Sequence, residues 1–294
     1  MLRRSADPID HLLALDPGSR GIAAFFSPGG ALRAARSLQR GKRILLITGF
    51  VVGPGLPETD GPPGTAALGR ALRRLGKSVT YLTDPLTLPL LESALKSLGE
   101  PGGELINFPG GEPAPQAARR LLTDLAPTHL VAVETPGRGA DGNYRNARGE
   151  SITAWTAPLD ELFVHRPRRI TTVGIGDGGN EIGMGKAYSQ LRRLGSRARK
   201  IASVVSADHL VVAGTANWGA YGVVAHLSLL SGQNLLHTGE EERRLIAACV
   251  DAGGVDGVTR RRTPTVDGLP SEMHVSMVEL LRSHVDRALG GAGS

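Results

Sequence analysis

A glycine-rich stretch, GIGDGGNEIGMGK, occupies residues 174–186 and directly follows the strand-like run RRITTV. Glycine lets a backbone approach a small ligand closely, with its N–H groups available to an anion. Asp177 and Glu181 supply carboxylates for proton transfer or for binding a cation, so we predict that both are catalytic. We predict substrate contacts from the residues between them: Gly178, Gly179 and Asn180. The alternative is a tight structural turn in which Asp177 caps a helix.

This stretch also contains the spacing G-x-G-x-x-G, which is typical of dinucleotide-binding loops that follow a strand. Asp177 lies inside the turn, however, where its negative charge would repel a pyrophosphate. A P-loop is excluded as well, because Lys186 is followed by Ala187 where that motif needs Ser or Thr. We therefore expect neither NAD nor ATP as a cofactor.

Polar residues stand where other strand-like runs end, at Thr48, Glu134 and Asn217. Ligands of open parallel sheets bind outside the carboxyl ends of the strands. Carboxylates that meet there need a cation, a proton or a substrate ammonium beside them. We predict that Glu134 completes the acidic catalytic set with Asp177. Substrate contacts are predicted for Thr48, Gly49 and Asn217, the last of which has a helix N-cap as its alternative role.

A long and polar loop, ETPGRGADGNYRNARG, spans residues 134–149. Long loops in compact domains are usually functional or disordered. The planar fork of arginine binds carboxylates through two hydrogen bonds, so we predict that Arg145 and Arg148 bind a substrate carboxylate. Ion pairs with acidic residues of the loop are the alternative. We predict further substrate contacts from Asp141 and Asn143.

An earlier loop, GFVVGPGLPETDGPPGT at 49–65, follows the first strand-like run. Its prolines lower the entropy that the loop loses on ordering. We interpret it as a rigid flap from which Glu58 and Asp60 reach the site, and we predict that Asp60 contacts the substrate. The alternative is that Asp60 or Thr65 caps the helix that begins near residue 65.

Seven apolar runs alternate with helical patterns along the chain, which indicates βαβ units and a parallel sheet. We predict an α/β fold with a doubly wound, mostly parallel sheet and helices on both faces, a Rossmann-like three-layer arrangement. Residues 1–294 are interpreted as one domain, in which residues 1–40 form a helical extension at the sheet edge. The predicted strands are 43–50, 78–84, 104–109, 128–135, 168–177, 201–206 and 209–216.

The composition excludes several classes of protein. The single cysteine, Cys249, excludes an internal disulfide and a cysteine-based metal site, and helical spacing beside it predicts a buried structural thiol. No apolar run is long enough for a membrane span. The net charge of +6 permits acidic ligands, but the basic runs lack interleaved aromatics, so we expect no nucleic-acid partner. We expect a cytoplasmic protein, and a homo-oligomer is compatible with these features.

Two motifs, ADGNYRNARG (140–149) and the stretch at 174–186, resemble the glutamate cyclase-like family, a domain found at the C-terminal end of D-glutamate cyclases. ITGF (47–50) followed by ETDGPPGT (58–65) supports the resemblance, as does AGGVDGVT (252–259). The matching segments are spread over most of the chain, and the two long motifs are more specific than the glycine spacing.

The resemblance implies a hydro-lyase that converts D-glutamate, a small acidic substrate, into 5-oxo-D-proline with loss of water. It also implies a divalent cation, Mn²⁺ or Mg²⁺, for which Asp177 and Glu134 are the expected ligands. The residues alone leave two other functions open. One is a non-catalytic module that binds an acidic metabolite or nucleotide, and the other is a related hydro-lyase or lactam hydrolase acting on another small acid.

Overall fold

The computed structural model of the chain describes residues 7–100, 104–110 and 112–291. In this part of the chain the central sheet has six parallel strands in the order β3-β2-β1-β4-β5-β6. The order reverses between β1 and β4, which is where ligands of doubly wound sheets bind. The predicted fold class is therefore confirmed. The strands are β1 (Arg43–Thr48), β2 (Ser78–Thr83), β3 (Glu104–Asn107), β4 (His129–Val133), β5 (Thr171–Gly176) and β6 (His209–Val212).

Helices cover both faces of this sheet, as the continuously apolar strands require. On one face, α5 and α6 pack against the side chains of Leu45, Ile47 and Leu130. On the other, Leu46 and Val131 face a larger core to which most of the remaining helices contribute. The helices are α1 (Pro8–Leu13), α2 (Gly30–Arg40), α3 (Pro62–Arg74), α4 (Leu88–Ser97), α5 (Ala114–Leu125), α6 (Glu161–His165), α7 (Tyr188–Leu191), α8 (Ser196–Ile201), α9 (Ala216–Ser231), α10 (Gly239–Asp251) and α11 (Ser271–Gly290).

The N-terminal part runs along the edge of the sheet. Helix α2 packs against the edge strand β6 and against α9, and a 3₁₀ turn at Ile22–Ala24 joins it to the preceding loop. Residues 1–6 of the predicted extension lie outside the described residues. The assignment of the whole chain to one domain stays a prediction.

The predicted strand at 201–206 is wrong. Helix α8 ends at Ile201, and the following residues form single bridges to loops, with Ser203 beside Gly139. Their backbone N–H groups bond to the loops as well, since Ser203 donates to Gly179 O at 3.0 Å and Val204 to Arg138 O at 2.9 Å. The apolar run therefore fastens two polar loops to each other instead of joining the sheet.

Two further predictions from composition can be compared with the structure. Cys249 is free and fully buried in α10, which confirms the buried thiol. Among the described residues, no helix combines the length and the apolarity that crossing a membrane requires.

Helix α3 is joined to α10 by an ion pair between Arg70 Nη1 and Glu241 Oε1, at 2.8 Å. Glu241 also closes a capping box with Thr238 at the start of α10. Burial opposes the ionisation of Glu241, but hydrogen bonds from Arg70 and Thr238 outweigh it and lower the pKa to about 2. The folded protein therefore favours the ionised carboxylate.

We expect Arg70→Met to lower the free energy of unfolding at neutral pH by about 1 kcal/mol, since the partly exposed partner is screened by water. A depressed folded-state pKa stabilises the protein above the unfolded value of 4.5, and this stability is lost as the pH falls toward 2. The difference between variant and parent should therefore shrink across that window in urea titrations. A difference that stayed constant would contradict a role for the ion pair.

Candidate active site

Three polar residues lie side by side at the carboxyl edge of the sheet. The register pairs Thr48 in β1 with Val133 in β4, so that Glu134 follows at the switch point. β4 and β5 are paired between Val133 and Ile175, which brings Asp177 to the same edge. Glu134 has a φ of 40°, a left-handed conformation that costs a non-glycine residue about 1 kcal/mol. The neighbouring strands hold it there, because Glu134 N–H donates to Ile175 O at 3.0 Å.

A buried group of three carboxylates forms at this edge. One oxygen each from Asp60, Glu134 and Asp177 lies within 4.8 Å of the other two. Among the described residues, Glu134 Oε2 and Asp177 Oδ2 are buried without a hydrogen-bond partner. The predicted metal pair, Glu134 and Asp177, is therefore brought together, and Asp60 joins it.

The three carboxyl groups destabilise one another's charges. Burial raises the pKa of Asp60, Glu134 and Asp177 well above their usual values. Nearby carboxylates add to this effect, with Asp177 and Glu181 acting on Glu134. Groups in this condition bind a proton or a cation readily.

Arg20 is the principal positive charge against this group, and the sequence analysis missed it. Its Nη1 donates to Asp177 Oδ1 at 2.6 Å, and its Nη2 lies 2.5 Å from Asp267 Oδ1. The loop that presents Arg20 is held by Asp16, whose carboxylate accepts the N–H groups of Arg20 and Gly21 at 2.8 and 2.7 Å. Each aspartate uses one oxygen for Arg20 and keeps the other without a partner in the described part of the chain.

Two more acids lie at the same place: Glu58, which the flap was expected to bring to the site, and Asp267, which the sequence analysis missed. Asp267 belongs to a two-residue turn with Gly268 between the short antiparallel strands β7 (Thr265–Val266) and β8 (Leu269–Pro270), and both turn residues have positive φ. Because Asp-Gly is common in hairpin turns, the hairpin could have been predicted from the sequence. The contact between Asp267 and Arg20 could not. Burial and Asp267 raise the pKa of Glu58.

A cavity of about 150 Å³ opens onto this acidic group. Its floor includes Arg20, Glu58, Glu134 and Asp267, whereas Asp60 and Asp177 are buried and are not among its lining residues. Its rim includes the arginines Arg148, Arg197 and Arg260. The cavity therefore has an acidic floor and a basic rim, which suits a small molecule bearing both an ammonium and a carboxylate.

Asp60 and Asn217 cap each other's helices. The Asp60 carboxylate accepts the N–H groups of Ala216 and Asn217, both at 2.8 Å, at the start of α9. In return, Asn217 Oδ1 accepts the N–H groups of Gly61 and Gly64, at 3.0 and 2.7 Å, at the start of α3. Asn217 lies within the first turn of α9 instead of at a strand end, and Thr215 is the N-cap. The structure therefore gives Asn217 a capping role, and Asp60 caps α9 instead of α3.

Glu181 faces its own loop. Its carboxylate accepts the N–H groups of Asp177, Gly178 and Gly179 at 3.2, 2.6 and 2.8 Å. Those N–H groups are therefore occupied by Glu181 in this structure, and the substrate contacts of Gly178 and Gly179 stay predictions. Glu181 is buried and does not line the cavity described above. Its position fixes the loop that carries Asp177.

The loop at 134–149, which contains Arg145 and Arg148, has an outer part and a part that faces the cavity. Arg145 is paired with Asp141 through 2.8 and 2.5 Å contacts, and Asn143 bonds to Asp141 as well. An ion pair within the loop was the alternative to substrate binding by Arg145. Asp141, Asn143 and Arg145 do not line the cavity. Arg148 does line the cavity, with one hydrogen bond of 2.7 Å from Nη2 to Val258 O.

Asn180 and Asn146 connect that loop to the cavity wall. Asn180 lines the cavity and donates from Nδ2 to Arg145 O at 2.8 Å. Asn146, which the sequence analysis did not select, donates to Val52 O at 3.0 Å and accepts the N–H of Arg148 at 3.0 Å. Buried amides of this kind fix the loop backbone, and that fixes where Arg148 can reach.

Thr48 and Gly49 lie beneath the acidic group. The Thr48 hydroxyl is buried with no partner among the described residues, and a Cβ at Gly61 would come within 2.5 Å of it. Gly49 has a φ of +140°, and a Cβ there would lie 2.3 Å from Asp84 Oδ2. The close approach explains the glycines, and neither Thr48 nor Gly49 lines the cavity.

The buried group of three carboxylates, Asp60, Glu134 and Asp177, fits a divalent cation. Hard cations prefer carboxylate oxygens, and two buried oxygens here lack any partner among the described residues. Asp60, Glu134 and Asp177 would hold such an ion, which would offset the repulsion between the three carboxylates. The described residues hold no comparable group of histidine, cysteine or carboxylate side chains elsewhere.

Comparisons with solved structures give only weak similarities. An exopolyphosphatase-related protein from Bacteroides fragilis aligns with a TM-score of 0.44 and 9% identity, over 91% of this chain and 62% of that one. RecJ from Thermus thermophilus aligns with a TM-score of 0.37 and 14% identity, over 96% of this chain and 39% of that one. Both scores lie below 0.5, so neither protein bears on the chemistry of this site.

Sequence comparisons are more informative. The mitochondrial D-glutamate cyclase of Homo sapiens is 35% identical over an alignment of 238 positions, which covers 76% of this chain. The match spans 38% of the length of that relative. The family described as D-glutamate cyclase-like, C-terminal, matches residues 9–282. Because that match covers nearly the whole chain and includes every residue of the acidic group, the chain belongs to the D-glutamate cyclase-like family.

Proposed function

We propose that this protein is a hydro-lyase that closes D-glutamate to 5-oxo-D-proline. The observation that supports the proposal is the buried group of Asp60, Glu134 and Asp177, which reaches an arginine-rimmed cavity through Glu134. Membership of the D-glutamate cyclase-like family supports the substrate. A non-catalytic binding module would have no need of buried carboxylates with unpartnered oxygens, which are costly to the folded protein.

The reaction requires two proton movements and one bond exchange. The α-ammonium of glutamate loses two protons, and its nitrogen forms a bond to the γ-carboxyl carbon. One γ-oxygen leaves and takes both protons, so that one water molecule is released. The protein must therefore accept protons from nitrogen and return them to oxygen within one small site.

The charges of the cavity orient such a substrate. Among the described residues, the guanidinium groups of Arg148 and Arg197 each donate one hydrogen bond, to Val258 O and to Ala147 O. Their other N–H groups are available to the α-carboxylate. The ammonium then lies toward Glu58 and Glu134 on the floor. This placement folds the substrate so that its α-nitrogen and its γ-carboxyl carbon approach each other.

Glu134 is the proposed proton acceptor and donor. It is the only member of the carboxylate group that lines the cavity, and burial raises its pKa well above the usual value. A carboxyl group with a raised pKa takes a proton from an ammonium more readily and delivers it to the leaving oxygen. The other two carboxylates are held in fixed positions. Asp177 is paired with Arg20, and Asp60 accepts hydrogen bonds from the start of α9.

A bound Mn²⁺ or Mg²⁺ would supply charge neutralisation of the γ-carboxylate. Asp60, Glu134 and Asp177 are the residues proposed to hold it. Arg20 would remain on the second oxygen of Asp177, since the two aspartate oxygens have different environments. Glu181 contributes by keeping the loop of Asp177 in one conformation.

The test is to incubate the purified protein with D- and L-glutamate, with Mn²⁺ or with EDTA, and to follow 5-oxoproline by NMR. We expect product from D-glutamate above the buffer control, and a loss of at least about tenfold in rate with EDTA. Formation of no product under any of these conditions would refute the proposed function. The cytoplasmic location stays a prediction, and the Homo sapiens relative is mitochondrial by its name.

A further inference from the structure

A second and larger cavity adjoins the first. It has a volume of about 450 Å³, against about 150 Å³ for the cavity above the acidic group. The two cavities share part of their walls, so they lie directly beside each other. The shared lining residues are Arg20, Ala147, Arg197, Val258 and Asp267.

The second cavity differs from the first in chemical character. Away from the shared wall its lining is largely apolar, with Phe25, Leu191 and Ile201 buried against the core and Leu194 exposed at the edge. An apolar wall next to a polar reaction site is suited to an apolar substituent of the substrate. Glutamate itself has no such substituent and leaves this space unused.

The floor of the first cavity also favours a substituted substrate. Glu58, Glu134 and Asp267 line it, and a free γ-carboxylate would add another negative charge beside them. A γ-amide is neutral, and it would avoid this like-charge repulsion. The arginines of the rim can still bind the one remaining carboxylate, at the α-carbon.

We propose that the second cavity receives the amine portion of a γ-glutamyl amide with an apolar body, and that the protein closes such amides to 5-oxoproline. This inference rests on the proposed function, because it uses the same amine, the same γ-carboxyl carbon and the same acidic group. The α-nitrogen forms a bond to the carbonyl carbon of the γ-amide, and the bond between that carbon and the amide nitrogen breaks. Of the two protons lost by the α-ammonium, one passes to the departing nitrogen and the other to water. No oxidant, reductant or second substrate is needed.

The probes are the γ-(4-nitroanilides) of D- and L-glutamate, assayed beside free D-glutamate with the full-length protein. We expect release of 4-nitroaniline together with an equal amount of 5-oxoproline, in EDTA as well as in Mn²⁺. Conversion of D-glutamate without conversion of either nitroanilide would overturn this inference and leave the proposed function standing. Conversion of a nitroanilide alone would support the inference and refute free glutamate as substrate. If neither compound reacts, both proposals fail.

A variant tests the location of the leaving group. Ala198 in α8 lines only the second cavity, so Ala198→Trp fills that space from its wall. We expect the ratio of kcat/KM for the nitroanilide to kcat/KM for D-glutamate to fall at least about tenfold. Ala288→Trp, on the exposed side of α11, is the matched control and should preserve the ratio. An unchanged ratio in folded Ala198→Trp would overturn the assignment of this cavity.

Discussion

Replacing Glu134 by glutamine is expected to reduce the rate of 5-oxoproline formation by about 10²- to 10⁴-fold. Glutamine keeps the size of the side chain but cannot exchange a proton. Glu134 is the member of the group of three carboxylates that lines the cavity, whereas Glu58 beside it lies outside that group. The rate is measured by NMR, beside Glu92→Gln on the exposed surface of α4, which should retain the parent rate.

The same variant should not be less stable than the parent. The pKa of Glu134 is raised, so the ionised group destabilises the folded protein above its usual pKa, and glutamine resembles the favoured neutral form. In EDTA at neutral pH we expect the Tm of Glu134→Gln to equal or exceed that of the parent. The difference should vanish as the pH falls below about 4.5, where the unfolded chain also holds the proton. In the rate measurement, 5-oxoproline formation by Glu134→Gln at a rate near that of the parent would exclude Glu134 as the proton-transfer group.

The largest expected loss of stability follows from Glu242→Leu, in the core between α9 and α10. Glu242 Oε2 lies 2.8 Å from His237 Nε2 and accepts the Tyr221 hydroxyl at 2.8 Å. All three side chains are buried. Removing the shared acceptor leaves a buried imidazole and a buried hydroxyl without partners, so we expect the free energy of unfolding to fall by about 3–5 kcal/mol.

Urea unfolding followed by circular dichroism measures this effect. The control is Glu240→Leu in the same helix, where the carboxylate is 66% exposed and its ion pairs with Arg243 and Arg244 are long. Such surface pairs contribute at most about 1 kcal/mol. Equal effects of the two substitutions would show that the buried cluster contributes nothing specific.

The sheet could be predicted because the sequence pattern of each strand lies within a few neighbouring residues. Each strand is a short apolar run followed by a loop, and most residues of β1 and β4 are apolar. The run at 201–206 has the same composition but lies between two polar loops that supply partners for its backbone. Apolar character predicts burial, whereas only the arrangement of neighbours decides whether a buried segment joins a sheet.

The site was less predictable because its contacts are not local. Glu134 and Asp177 follow strands, and their meeting could be inferred from the topology alone. Arg20 contacts Asp177 across 157 positions of the sequence, and no pattern near either residue indicates the pair. In contrast, Arg145 was assigned to a distant substrate although a partner four positions away, Asp141, was available.

The exchange of caps between α3 and α9 has a consequence for folding. Asp60 is oriented by N–H groups that lie 156 and 157 positions later in the chain, so its carboxylate reaches its final position only after the second half of the sheet has docked. Contacts of such long range form late, since the loop they close must be ordered first. We therefore expect the carboxylates to stay apart and hydrated early in folding, so that they repel one another only once the rest of the core has formed.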